Sequence, residues 1–335
     1  MTGAVPMVEI WRGDVPESLH RGHAVVCDAR GQVRAAWGDP EAVMLPRSAC
    51  KMLQALPLVE SGAGDRLTAE QLALACASHS GAAMHVERVA AWLASLGLGE
   101  PDLRCGPQLP EDADERHRLR DAGEAPCQLH NNCSGKHAGF LMLNQRLGGG
   151  ADYVEVDHPV QLSARAAFEE MCGTGALGWG VDGCSAPNFA TTMGGLTGAM
   201  ARMADPAALG VARGRAARRL VEAMAAHPLL VAGTGRACSE LMAAAAGAVV
   251  VKTGAEAVYT AILPAAGLGV ALKIEDGATR ASECAIAALL VRLGAVSPAD
   301  PAVARRLGPE ITSRRGIHAG RIRPEPDFFA GGAPV

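Results

Sequence analysis

A serine stands three residues ahead of a lysine in the run Pro46-Arg47-Ser48-Ala-Cys-Lys51-Met-Leu-Gln-Ala-Leu56. Pro46 suits the start of a helix, and the apolar residues after Ser48 can continue it. Residues three apart share a helix face, so the hydroxyl and the amine would be neighbours. In a first helical turn, free N–H groups favour developing negative charge. A seryl hydroxyl attacks a carbonyl only when a neighbour takes its proton. Lys51 can do so if burial or nearby cations keep its amine neutral. Alone, the same spacing also describes a capping serine beside a surface lysine.

Two further strings suit that chemistry. Val250-Val-Lys252-Thr-Gly254 closes an apolar run that reads as a buried strand. Lys-Thr-Gly at a strand end accompanies Ser-x-x-Lys in serine–lysine acyl enzymes, where the lysine steers a carboxylate or helps a second serine move protons. Ser78-His-Ser80-Gly81 follows a predicted helix and offers two hydroxyls, in the place where such enzymes carry Ser-Asp-Asn, a string this chain lacks at a suitable position. It reads equally as a helix-ending turn.

Cys133 and Cys184 lie in polar, glycine-containing segments, His130-Asn-Asn-Cys133-Ser-Gly-Lys136-His137 and Val181-Asp182-Gly-Cys184-Ser-Ala-Pro187. Cys76 and Cys284 sit in apolar helical runs instead. Two thiolates suit zinc, yet no Cys-x-x-Cys pair is present, so His137, Lys136 or Asp182 would have to complete a site. Packed thiols are the other reading.

The elements that must position these residues follow from patterning. His23–Asp28 and Gln32–Trp37 read as an antiparallel hairpin. Thr68 and Gln71 have capping-box spacing before Leu72-Ala-Leu-Ala-Cys76. Helices are expected over 82–96, 158–171 and 207–226, and a flexible connection at Gly148–Gly150. Strands are expected over 248–252, 257–263 and 269–275, then a helix over 281–293. Strands at both ends with helices between predict an α/β fold, with a mixed sheet built from N- and C-terminal strands and a helical region beside it. The arginines at 213, 215, 218 and 219 read as a solvated helix face, and Glu111–Glu115 as an exposed loop.

Composition narrows the function. Aromatic residues are 3% of the 335, too few for a stacking platform, and the net charge of −4 with no basic stripe argues against nucleic acid. The most apolar stretch, Leu241–Val251, is broken by Gly247 and is too short to span a membrane. Residues 1–10 lack the basic region and apolar core of a secretory signal. A soluble, cytoplasmic chain with mostly reduced cysteines is therefore expected.

Taken in order, Arg47-Ser48-x-x-Lys51, Cys76-Ala-Ser-His-Ser80, His130-Asn-Asn-Cys133-Ser-Gly-Lys136-His137, Asp182-Gly-Cys184, His227-Pro228 with Val231-Ala-Gly233, and Lys252-Thr-Gly-Ala-Glu256 resemble the L-asparaginase II family of the Rhizobium etli type, the class 3 asparaginases. The resemblance runs from the first hairpin to Gly320–Pro324. It implies one serine β-lactamase-like domain over 1–335, a homodimer, and hydrolysis of L-asparagine to L-aspartate and ammonia. It also implies two Ser–Lys tandems, Ser48 with Lys51 and Ser80 with Lys252, and zinc held by Cys133, Lys136, Cys184 and water. Lys136 would need a depressed pKa to bind metal. Clustered with Lys51, Lys252 and Arg47, each amine should lower the others' pKa. Arg47, His137 and Asp182 are then candidates for contacting the substrate. A glutaminase or another β-lactamase-like Ser/Lys amidohydrolase is the alternative, because one methylene separates the substrates.

Overall fold

The computed structural model describes residues 3–330. Its contacts divide the chain into two compact units interleaved in sequence. The first comprises Met1–Ala49, Thr191–Asp205 and Glu240–Val335, and the second Cys50–Ala190 and Pro206–Ser239.

The first unit is built on an eight-stranded sheet: β1 (Val5–Arg12), β2 (Val15–Asp28), β3 (Val33–Trp37), β4 (Val250–Gly254), β5 (Val258–Leu263), β6 (Leu268–Ile274), β7 (Glu310–Thr312) and β8 (His318–Pro324). Along the sheet the order is β7-β8-β1-β2-β6-β5-β4, with β3 also paired to β2. The expectation of strands from both ends of the chain is met. Each pair is antiparallel rather than mixed. The reason lies in the connections. Tight turns join β1 to β2, β2 to β3, β4 to β5 and β5 to β6, and parallel neighbours would need long crossovers. β2 is long enough to pair with β1 through Val15–Gly22 and with β3 through Ala24–Cys27, while β6 runs along its other edge. β5 is buried at each position and β6 at all but Leu268. Alternate residues face opposite sides, so both faces are covered. The helices Met193–Ala204 and Thr279–Arg292 pack on these strands and supply that cover.

The second unit is mainly helical, with the helices Ala69–Ala75, Ala83–Ser95, Ala113–Ala122, Ser134–Leu147, Pro159–Cys172 and Val211–Ala226 and a two-stranded ribbon, Trp179–Val181 with Pro187–Phe189. The capping box forms as read: Gln71 N donates to Thr68 Oγ1 at 3.2 Å and Thr68 N to Gln71 Oε1 at 3.0 Å. The last of the three expected helices begins at Val211, after a short 3-10 turn at Pro206–Ala208. The acidic run is not an exposed loop. Asp112 caps Ala113–Ala122, and Glu115 turns inward to Arg118 and His130. Nor is the arginine cluster wholly solvated: Arg213 pairs with Glu60 and Glu170, and Arg219 donates to Gly64 O. Among the described residues no helix is long and apolar enough to cross a membrane.

Candidate active site

In the first unit, the chain leaves Pro46 into a tight 3-10 turn that begins at Arg47. Arg47 takes a positive φ of 51°. A non-glycine residue in that region stores strain that surrounding structure must hold. The holding partner is the end of β4. A Cβ at Gly254 would lie 2.5 Å from Pro46 O and 3.1 Å from Ala49 N, so only glycine lets the Lys-Thr-Gly strand lie against this turn. Thr260 Oγ1 donates to Ala49 O at 3.0 Å and fixes the same segment. Ser48 is half-buried on it. Lys252 is buried on β4, with its amine donating to Thr253 O at 2.8 Å. Thus the sequence motif around Ser48 and the Lys-Thr-Gly motif meet.

In the second unit, the Lys51 side chain is 1% exposed. Its amine donates to Ala77 O, to Ser78 Oγ at 2.8 Å and to Cys133 Sγ at 3.1 Å. Among the described residues no carboxylate pairs with it. Ser78 is thus the serine whose hydroxyl accepts from Lys51; the motif showed two serines without saying which would meet it.

The loop carrying Ser78 and Ser80 is gripped on both sides. Ser78 N donates to Val231 O at 2.9 Å, and His79 N to Asn132 O at 3.1 Å. Ser134 Oγ donates to Leu129 O, so it accepts from His79 Nε2 at 2.9 Å. Gly81 N in turn donates to His79 Nδ1 at 3.2 Å. His79 is therefore a neutral ring with its proton on Nε2. Burial first, then the neighbouring His85, Lys51 and His130, hold its pKa well below the ordinary value. Ser80 Oγ is buried with no hydrogen-bond partner among the described residues. Gly233 backs it closely, and a Cβ there would stand 2.4 Å from Ser80 Oγ.

Beside Lys51 lies a sulfur–amine cluster. Lys136 Nζ donates to Cys184 Sγ at 3.1 Å. Cys133, and then the charge of Lys136, draw the Cys184 thiol below its usual pKa against the opposing effect of burial. Cys184 in turn, and then burial, raise the Cys133 pKa. Burial works against the Lys136 ammonium, but Cys184, Cys133 and Asp182 outweigh it and raise its pKa. This reverses the expectation of a depressed Lys136. The cations around it count for less than the sulfur it touches. His137 is wholly buried on the same helix, with Nδ1 2.9 Å from Tyr153 Oη. Its pKa is lowered, by burial above all. Tyr153 carries no local signal that would have marked it in the sequence, and Gly233 stands in the Val231-Ala-Gly233 string, which does not say that it backs Ser80.

Cys133, Lys136 and Cys184, the three expected zinc ligands, therefore converge. Among the described residues no group of three or more His, Cys, Asp and Glu side chains is placed to hold a metal, so a site here depends on Lys136.

The family described as L-asparaginase II matches residues 8–324. No curated protein matches the chain. Among solved structures, a β-lactamase (Mb2281c) from Mycobacterium bovis is similar at 13% identity, covering 78% of this chain and 89% of that one, with a TM-score of 0.40.

Proposed function

The chain belongs to the L-asparaginase II family, and from that premise we propose that it hydrolyses the side-chain amide of L-asparagine to L-aspartate and ammonia as a class 3 asparaginase. The observation that carries the reading is the Lys51 amine. It follows Ser48 by three residues in the sequence and is buried, and among the described residues no carboxylate pairs with it. Its three acceptors, Ala77 O, Ser78 Oγ and Cys133 Sγ, match the three protons of an ammonium, so in this reading Lys51 gives up one of those bonds and its proton before it takes the proton of a serine nucleophile.

In this reading Ser48 attacks the carboxamide carbon while Lys51 takes its proton. The oxyanion is met by backbone N–H groups, the Ser48 N–H among them. The second tandem, Ser80 and Lys252, passes a proton to the departing ammonia. Water then opens the aspartyl ester, with Lys51 again as base. Arg47 suits the substrate α-carboxylate, and Asp182 its α-ammonium.

The donors at the sulfur cluster fit zinc, because two cysteine sulfurs and a lysine amine lie together there. Cys133, Lys136 and Cys184 would hold it once Cys133 and Lys136 give up their protons. When bound, zinc would supply charge that positions the substrate and its loop. Thiolate donors make it a weak Lewis acid. A cytoplasmic homodimer remains part of the proposal.

The test is ammonia release from asparagine and from glutamine, measured beside ring opening of the β-lactam nitrocefin, which releases no ammonia and is read from its colour change. Faster turnover of asparagine, with an acyl adduct trapped in the parent and lost in Ser48→Ala, supports the reading. A preference for glutamine or nitrocefin overturns it.

A further inference from the structure

We infer that Lys273 is a positioning residue, whose amine holds a strained turn in place and through it seats the Lys-Thr-Gly strand end against the segment that carries Ser48. Each residue involved lies in the first unit.

The turn joins β4 to β5. Gly254 pairs with Val258, which leaves a loop of three residues, Ala255, Glu256 and Ala257. Loops of this length ordinarily use one left-handed residue, and glycine fills it. Here two successive residues are left-handed, Glu256 at a φ of 58° and Ala257 at 56°, and neither is glycine. A Cβ in that region crowds its own backbone, so both positions are strained and persist only where their surroundings over-determine them.

Lys273 supplies the constraint. It lies on β6 opposite Val258, the first residue of β5, and it is buried. Its amine donates to Glu256 O and, at 2.8 Å, to Ile274 O. Glu256 O belongs to the peptide between the two strained residues. A peptide is planar, so its orientation sets ψ of Glu256 and φ of Ala257 together, and a donor fixed on its oxygen holds both. Ile274 N donates to Ala257 O at 3.2 Å and ties the next carbonyl to the same strand. Enclosing an amine is unfavourable in itself: burial above all lowers the Lys273 pKa, against the charges of Glu256, Asp276 and Glu275. Packing alone would be served by an apolar side chain of the same length. The two carbonyls that Lys273 reaches account for a lysine at this point.

The effect extends to the Ser48 segment. Gly254 ends β4, and a Cβ on it would lie 2.5 Å from Pro46 O and 3.1 Å from Ala49 N. Turning the Glu256–Ala257 peptide redirects the loop, and Gly254 then moves off Pro46 and Ala49, the residues on either side of Arg47 and Ser48.

The experiment compares Lys273→Met, which keeps the length and loses the donor, with the double variant Lys273→Met/Ala257→Gly, in which a glycine adopts the left-handed conformation unaided. Backbone hydrogen exchange over residues 255–258 and 274 is read by mass spectrometry. It should be about tenfold faster or more in Lys273→Met than in the parent, and return towards the parent rate in the double variant. Exchange unchanged in Lys273→Met, or not slowed by the glycine, overturns the inference. Should Lys273→Met fail to fold, the double variant decides: its folding supports the inference, and its failure overturns it.

A kinetic arm rests on the asparaginase reading. In Lys273→Met, kcat for asparagine should fall about tenfold or more with KM near the parent value, and it should recover in the double variant. A loss that the glycine does not recover would assign the effect to the amine itself and overturn the inference. If exchange behaves as stated and the parent does not turn over asparagine, the asparaginase reading fails and the inference about Lys273 and its turn stands.

Discussion

The Lys51 amine donates to the Cys133 sulfur across 3.1 Å, so the residue read as general base and one of the thiols read as metal ligands share a hydrogen bond. In the proposed mechanism, a change at Cys133 therefore acts on the nucleophile by way of Lys51. Cys184 touches Lys136 instead.

From this follows an asymmetry between two cysteines that a metal-site reading alone would treat alike. Cys133→Ala removes an acceptor from Lys51 and should lower kcat for asparagine by about 10- to 100-fold. Cys184→Ala should act mainly on KM. Cys133→Ser, which keeps an acceptor, should recover part of kcat. Steady-state kinetics on the three variants, with zinc content measured on each, checks this. Equal kcat losses at both cysteines would mean that the bond to Lys51 carries no catalytic weight.

Ser48→Ala should lower turnover by at least about a thousandfold, the scale on which removal of an attacking hydroxyl acts. Ser48 is only half-buried, so thermal stability should stay close to that of the parent. Intact-protein mass spectrometry after brief exposure to asparagine should find an acyl adduct on the parent alone. An adduct persisting on the variant would move the nucleophile elsewhere, with Ser80 the first residue to test.

Much of this arrangement is legible in the sequence because its signals are local. The Thr68–Gln71 capping box, the strand near Lys252-Thr-Gly254 and the helix near 279–292 each depend on a few adjacent residues. The antiparallel sheet was less so, since pairing β8 with β1 joins residues some three hundred positions apart. At the site, residue types singled out Cys133 and Cys184 and left His137, Lys136 and Asp182 open, and the resemblance to the family implied Lys136. Their protonation was not legible. That Lys136 is held charged depends on a sulfur arriving from a distant ribbon turn. Ser78 could have been singled out from Ser80 only by knowing which hydroxyl faces Lys51.

Gly233 is the residue whose size decides where Ser80 Oγ can sit. At a φ of 120°, and with Ser80 Oγ only 2.4 Å from where a Cβ would be, Gly233→Ala meets both backbone strain and a collision. Ser80 must then turn or its loop must shift. If Ser80 serves the departure of ammonia, kcat should fall about tenfold or more while the acyl adduct on Ser48 still forms. Rapid-quench measurement of adduct formation against steady-state turnover separates the two steps. A variant with unchanged kcat would show that the position of Ser80 is not critical.

The buried histidines predict how stability responds to acid. His79 has a folded-state pKa well below 6.5, because its ring is enclosed and Nδ1 already accepts from Gly81 N. The unfolded chain takes up this proton near pH 6.5 and the folded chain does not. The contribution of His79 is therefore complete above about pH 6.5 and is lost as pH falls from there towards the folded-state pKa. The slope is about 1.4 kcal/mol per pH unit for one such group. His85, His137 and His23 are lowered by burial too and act in the same direction. Urea unfolding followed between pH 7.5 and 5 should show stability falling on the acid side, and more shallowly in His79→Gln, where the amide can still donate to Ser134. Parallel curves for parent and variant would show that His79 does not titrate on unfolding and that the acid response comes from the other histidines.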